Sequence, residues 1–434
     1  WHIAGVSMVL LTIGDLTASS GEKISGNILI GKYDSSNTTA TITKNGTQIP
    51  ITIINGIFEG PTVLVLSGIH GSEYTPIMAT QRLAKDLNPS TLRGALILIH
   101  IANLPAYLGR TVYTSPIDGK NLNRVFPGNP DGTLSEQIAN FLVQNAYPLA
   151  DYVLDMHSGD ANEQLGPSYT AYYGKAGSTE VIEASKAMAI AFGLDLVVEF
   201  QWKLLRDNKL NAIWAGSAAV VRDIPSIDVE LAPGMGTSHS STFSVDQAYK
   251  GVQRVLLHVG ILQDKEIVTE NKDNFEEPCV VKKRHFIEAP VAGSWFPLVD
   301  TGTFVTQKTS LGYITDFYGR NQIFETKAPA DGLLLIRIET PPVVKGDTLA
   351  VVAMLNSSNV ACERLKRDGE LYLGKESSNN ALVVWQWLAV LGWLVALCIS
   401  VFIGIGRIRK SASRKHAHVS LAIEDMCTTD ARVV

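Results

Sequence analysis

His70, Gly71, Ser72 and Glu73 follow closely on the apolar run of residues 62–66. A histidine and a carboxylate three residues apart, on a turn at the end of a strand, can converge on one cation. Zinc favours such nitrogen and oxygen donors. His157 ends another apolar run, residues 152–156, and supplies a third candidate donor. A catalytic zinc takes three protein ligands and keeps a position open for water, whose pKa it lowers to about 7. Glu230 ends a third such run, residues 226–229, and is the candidate base for a proton transfer. Each residue also has a plainer reading. A lone histidine at a strand end is more often a hydrogen-bonded structural residue, and Glu230 could simply pair with Arg222. Asp155 could orient a ligand or cap an element, so it is assigned no role. His100, His239, His258 and His285 have no matching partner and read as structural or surface residues.

These candidates need elements to carry them. From residue 61 to 262, apolar strands at 63–66, 95–101, 152–157, 195–200 and 227–231 alternate with amphipathic helices at 74–87, 135–147, 180–192 and 245–262. Pro76 falls in a first helical turn, where proline is tolerated, and Ser135 is the N-cap of the second helix. The alternation predicts an α/β fold with a mainly parallel mixed sheet and helices on both faces. Ligands bind such sheets beyond the carboxyl ends of the strands, where His70, His157 and Glu230 all fall. Residues 13–58 alternate short β-rich stretches with Gly, Asn and Ser turns, and predict a small antiparallel sheet. Residues 264–284 are rich in Lys, Glu and Asp and read as a surface connection. Two similar turns, 289–293 and 328–332, then each open a β-rich stretch, predicting a small β domain that resembles the lipoyl and biotinyl carrier fold. No lysine sits at a hairpin tip between them, so a capping or wall role is expected rather than a carrier. The expected division is an N-terminal β-rich segment 1–58, a catalytic domain 59–284, a β-barrel or hammerhead-like accessory domain 285–355, a linker 356–380, a transmembrane helix 381–406 and a basic tail 407–434.

Composition narrows the partners. A net charge of −5 gives no reason to expect nucleic acid, which calls for a basic face. Residues 381–406 carry no charged side chain, and about 20 apolar residues suffice to cross a bilayer as a helix. Trp385, Trp387 and Trp393 resemble interfacial anchors, and Arg407, Arg409, Lys410, Arg414 and Lys415 follow. The slight charge bias predicts a single-pass membrane protein anchored near its C-terminus, with the catalytic part non-cytoplasmic; sequons at Asn37, Asn45 and Asn356 agree. The first residues, 4–13, are apolar without a basic start and make a poor signal peptide. Of four cysteines, Cys398 lies in the apolar stretch and Cys427 beyond it, so at most Cys279 and Cys362 could pair in the folded part.

Taken together, His70-Gly71-Ser72-Glu73, the long gap to Asp155-Met156-His157-Ser158-Gly159, and residues 118–128 with Asn123-Arg124 resemble the succinylglutamate desuccinylase and aspartoacylase family, a branch of the zinc carboxypeptidase superfamily. The resemblance spans roughly residues 13–353. It implies a zinc carboxypeptidase-like fold, one zinc per chain held by His70, Glu73 and His157, and Glu230 as catalytic carboxylate. It also implies that Asn123 and Arg124 hold a substrate carboxylate. A further family arginine upstream falls near Arg110, with Val112 the competing position, which leaves oxyanion stabilisation open. The residue chemistry runs parallel. Glu230 can take a proton from water and pass it to a leaving amine, and the planar fork of Arg124 suits two-point contact with a carboxylate. The expected activity is hydrolysis of the amide bond of an N-acyl amino acid or a similar small carboxylate-bearing amide. The expected partners are that small molecule and a membrane through the C-terminal helix, with homo-oligomerisation open. The rivals are a zinc carboxypeptidase or peptide amidase on longer substrates, and a non-catalytic membrane-anchored binding module that would have no need of a base beside a metal.

Overall fold

The computed structural model describes residues 10–31, 46–201, 212–232, 239–263, 276–355 and 359–370. Among these the largest sheet has nine strands, in the order Cys279–Val281, Leu196–Phe200, Tyr169–Tyr173, Ser226–Leu231, Tyr152–Ser158, Phe58–Ser67, Arg93–Ile99, Gly46–Asn55, Lys23–Gly31. Ser226–Leu231, Tyr152–Ser158, Phe58–Ser67 and Arg93–Ile99 run parallel to one another. Side chains alternate between faces along a strand, and here both faces are covered. Val63 and Val65 join one core, with Ala79, Leu83, Met188, Val252 and Leu256 from the helices Tyr74–Asp86, Thr179–Ala191 and His239–His258. Leu64 and Leu66 join the opposite core, with Ile138 and Ala139 of Leu134–Phe141 and Ala215, Ala218 and Ala219 of Ala215–Val220. This is the mixed α/β architecture expected.

The N-terminal strands do not form a sheet of their own. Lys23–Gly31 and Gly46–Asn55 extend the large sheet through antiparallel pairing with Arg93–Ile99. Ile51, Ile53 and Ile54 are all buried, so that strand needs cover on both faces, and a small isolated sheet could not provide it.

Beyond residue 283, two further sheets make a β unit. One contains Arg284–Glu288, Thr348–Ala353, Gly332–Ile338 and Phe304–Val305; the other contains Gln322–Lys327, Ser310–Thr315, Gly293–Pro297 and Pro342–Val343. Trp295 is buried between them with Ile314, Val343 and Leu349, and its indole N–H donates to the Ile338 carbonyl at 3.0 Å. A short strand from earlier in the chain, Glu163–Leu165, pairs antiparallel with Gly332–Ile338. A disulfide joins Cys279, on the edge of the large sheet, to Cys362 in the helical segment 360–370.

The expected membrane placement is corrected. Among the described residues no helix is long and apolar enough to cross a membrane. The longest of them, His239–His258, carries Asp246, Lys250 and Arg254 along its length. Residues 381–406, on which the expectation rested, lie outside the described residues.

Candidate active site

The strand Phe58–Ser67 ends in a turn that the adjoining loop clamps, with Ala102 N–H donating to the Ser67 carbonyl and Asn103 N–H to that of Gly68. Gly68 takes a φ of 69°, a left-handed value that glycine adopts freely. Glu73 is the N-cap of the helix Tyr74–Asp86, yet its side chain makes no capping bond. The carboxylate turns inward instead. Its Oε1 lies 2.6 Å from His70 Nδ1 and its Oε2 lies 2.8 Å from His157 Nδ1. All three side chains are buried, and one donor atom from each lies within 4.8 Å of the others.

The far side of each ring is also held. His70 Nε2 lies 3.1 Å from Asn121 Oδ1, and His157 Nε2 lies 3.1 Å from Asp155 Oδ1 and 3.3 Å from Asn123 Nδ2. Asp155 is itself fixed from below, accepting the Gly216 N–H at 3.2 Å. Oxygen atoms close to Nε2 orient each ring with Nδ1 turned toward the centre of the cluster, which is the usual outer support of a histidine ligand. The titration of the cluster points the same way. Burial alone would raise the Glu73 pKa, but His70 and His157 hold it down at about 2. Burial would lower that of His157, but Asp155 and Glu73 push it well above the usual value. Positive charge is favoured at this point, and two imidazoles with one carboxylate fit a divalent cation.

Glu230 stands in parallel register with His157, and Asp228 with Asp155. Neighbouring strands lie about 4.8 Å apart, so the Glu230 side chain rises beside the donor cluster. Burial, helped by Glu73, Glu163 and Asp228 against the pull of His157, lifts its carboxyl well above the usual range. Asp228 rises to about 7 through burial and the nearby Asp155, and accepts the Tyr173 hydroxyl at 2.8 Å.

These groups line a cavity of about 600 Å³, His70, Glu73, His157 and Glu230 coming from the large sheet and its loops and Ile336, Ile338, Val343 and Val351 from the β unit. Asn123 and Arg124 sit on the turn Leu122–Arg124. Asn123 Oδ1 accepts the Ala215 N–H at 2.8 Å, while Arg124 lies over the Trp214 ring at 5.8 Å and reaches both cavity and solvent. Arg110 is not brought to the cavity. It ends the helix Leu104–Gly109 in a left-handed conformation, exposed, and Val112 and Tyr113 line the wall instead.

Sequence reasoning passed over Tyr113, Asn121, Asp160 and Glu163. The Tyr113 ring meets His70 edge-on at 5.4 Å, and its hydroxyl donates to Glu163 Oε2 at 2.7 Å. Asp160 Oδ1 accepts the N–H groups of Asn162 and Glu163, folding a tight turn. Burial raises Asp160 to about 6, and burial with Asp160 raises Glu163 to about 8. The one available signal was Asp160-Ala161-Asn162-Glu163, a turn-forming run directly after His157-Ser158-Gly159.

The buried donor set thus lies at the carboxyl ends of the parallel strands, with a carboxylate in register beside it. The succinylglutamate desuccinylase/aspartoacylase catalytic domain model matches residues 59–259. Over 321 residues the chain is 30% identical to an N-alpha-acetyl-L-2,4-diaminobutyric acid deacetylase of Halomonas elongata, covering 70% of this chain and 85% of that one. The product-bound ectoine utilization protein EutE (DoeB) of Ruegeria pomeroyi superposes with a TM-score of 0.66 at 26% identity, over 80% of this chain and 98% of that one. A succinylglutamate desuccinylase/aspartoacylase of Rhodobacter sphaeroides gives 0.64 at 25% identity, over 76% and 95%. The chain belongs to the succinylglutamate desuccinylase/aspartoacylase family of N-acyl amino acid deacylases.

Proposed function

We propose that the protein is a zinc-dependent deacylase that hydrolyses the amide bond of a small N-acyl amino acid. The observation that carries this reading is the convergence of His70, Glu73 and His157, with Glu230 in register beside His157. His70, Glu73 and His157 hold one zinc, which when bound polarises an acyl carbonyl and acidifies water. Arg124 grips the substrate carboxylate with its planar fork, and Asn123, tied to Ala215, steadies that turn. Glu230 takes the proton of the attacking water and returns it to the leaving nitrogen. Residues 59–284 form the catalytic domain in this reading, and 285–355 an accessory domain that walls the cavity.

The test is metal analysis of the purified protein together with amine release from N-acetyl and N-succinyl amino acids. One zinc per chain and chelator-sensitive release are expected. Cleavage of peptides alone would make it a carboxypeptidase, and bound zinc without turnover of any acyl amino acid would overturn the enzymatic reading.

A further inference from the structure

We propose that the cavity takes an N-acyl amino acid carrying a bulky apolar group, which lies along Phe286, Val351 and Ile336 of the β unit while Arg124 holds the carboxylate; this rests on the deacylase reading. The three side chains form one row. Phe286 of Arg284–Glu288 stands in register with Val351 of Thr348–Ala353, and Val351 with Ile336 of Gly332–Ile338. Register partners on neighbouring strands point to the same face, and all three line the cavity. Val351 is buried and Ile336 half-buried, but Phe286 is 51% exposed. Of the large apolar side chains exposed among the described residues, it alone lines the cavity. An exposed aromatic ring inside a cleft marks a ligand contact, unlike apolar residues scattered singly over a surface.

The large sheet adds to this apolar surface. Phe200, at the end of Leu196–Phe200, also lines the cavity and meets the Tyr173 ring edge-on at 5.2 Å. The Arg284 guanidinium lies 4.6 Å from the Phe200 ring centre and 5.3 Å from that of Phe286. One cation thus spans the two rings and fixes Phe286 beside the large sheet. The volume calls for more than a short acyl group. About 600 Å³ holds roughly twenty water-sized groups, whereas N-acetylglycine has about eight non-hydrogen atoms. Arg124 and the proposed zinc satisfy the carboxylate and the amide carbonyl, so the rest of a larger substrate meets the apolar row. Each methylene removed from water there favours binding about fourfold. A charged group against the same row would lose its hydration without gaining a partner, so N-succinyl amino acids are disfavoured. The apolar group can belong to the acyl chain or to the amino acid side chain, and the test separates the two.

The test is calorimetry on zinc-loaded Glu230→Gln protein, which binds amides without consuming them, with N-octanoylglycine, N-acetyl-L-phenylalanine, N-succinylglycine and N-acetylglycine. At least one of the first two should bind about thirtyfold or more tighter than N-acetylglycine, and which one does so assigns the apolar group to the acyl or the amine half. N-succinylglycine should gain nothing. Adding Phe286→Ala, at a position exposed enough to tolerate it, should remove about tenfold of the gain, and Phe286→Leu should restore part of it. Ile336→Ser gives the same loss from the other end of the row. Equal affinity for all four amides, no binding of any, or a gain that survives both Phe286→Ala and Ile336→Ser overturns the inference. Hydrolysis by the zinc-loaded wild type is followed alongside. Turnover of short amides without tighter binding of the apolar ones ends this inference alone, whereas tight apolar binding without turnover of any amide supports the row and ends the deacylase reading.

Discussion

Two carboxyls near the donor cluster, those of Glu230 and Glu163, are held above their ordinary range, and each gives a separate test. As the base, Glu230 must be ionised to act. In the zinc-loaded enzyme the activity should rise with pH as this carboxyl loses its proton. Glu230→Gln should lower kcat by about 10²–10⁴-fold, leave zinc content unchanged and abolish that rise; a variant retaining full kcat would remove the assigned role. Glu163 affects stability. Its folded pKa of about 8 exceeds the 4.5 of a free carboxyl, so the folded state binds the proton more tightly. The unfolded chain gains relative favour as pH rises from the lower value to the higher. In metal-free protein Glu163→Gln should therefore melt higher than wild type at pH 8, with no gain below pH 4.5. About 1 kcal/mol would raise Tm by about 1 °C at this size. A lower melting point at pH 8 would show the carboxylate to be stabilising. His70, Glu73, His157 and Glu230 were legible in the sequence because each follows an apolar run. Glu163 was not, since its partner Tyr113 and its ladder to Ile338 are distant in the chain.

At the scale of the element, the His-Gly-Ser-Glu turn depends on close backbone contact. A Cβ on Gly71 would come within 2.1 Å of Tyr107 N and 2.2 Å of Ala106 C, the backbone of the helix Leu104–Gly109. Neither atom can rotate away, so Gly71→Ala must push the turn outward and separate the donors of His70 and Glu73. Zinc affinity should fall about tenfold or more by competition with a chromophoric chelator, and unaltered affinity would show the turn to be compliant. The strands and helices around this turn could be read from apolar periodicity. The partners of the N-terminal strands could not, because the pattern around Ile51 and Ile53 shows that they are buried but not against which sheet. Arg110 lies outside the cavity lining for a related reason. Proximity in sequence placed it near the Asn-Arg pair, but the helix end at Gly109 turns it outward and brings Tyr113 in.

Across the whole molecule, the disulfide between Cys279 and Cys362 spans 83 residues, and that loop encloses the β unit. Chain-entropy reasoning gives about 4–5 kcal/mol for a loop of this length. Replacing both cysteines by alanine should lower Tm by roughly 5 °C, and an unchanged melting point would mean the unit is held by its packing alone. The sequence left this pair as the only candidates and named no bond.

The strand Glu163–Leu165 has a practical consequence. Its hydrogen-bonding neighbour, Gly332–Ile338, lies well past residue 259, where the family match stops. A fragment cut at that boundary for expression would keep every proposed zinc donor and Glu230, yet strip one bank of the substrate cleft and leave an orphaned strand beside it. Such a fragment should bind metal and discriminate poorly among amides, so the smallest piece worth purifying extends past Cys362, through residue 370.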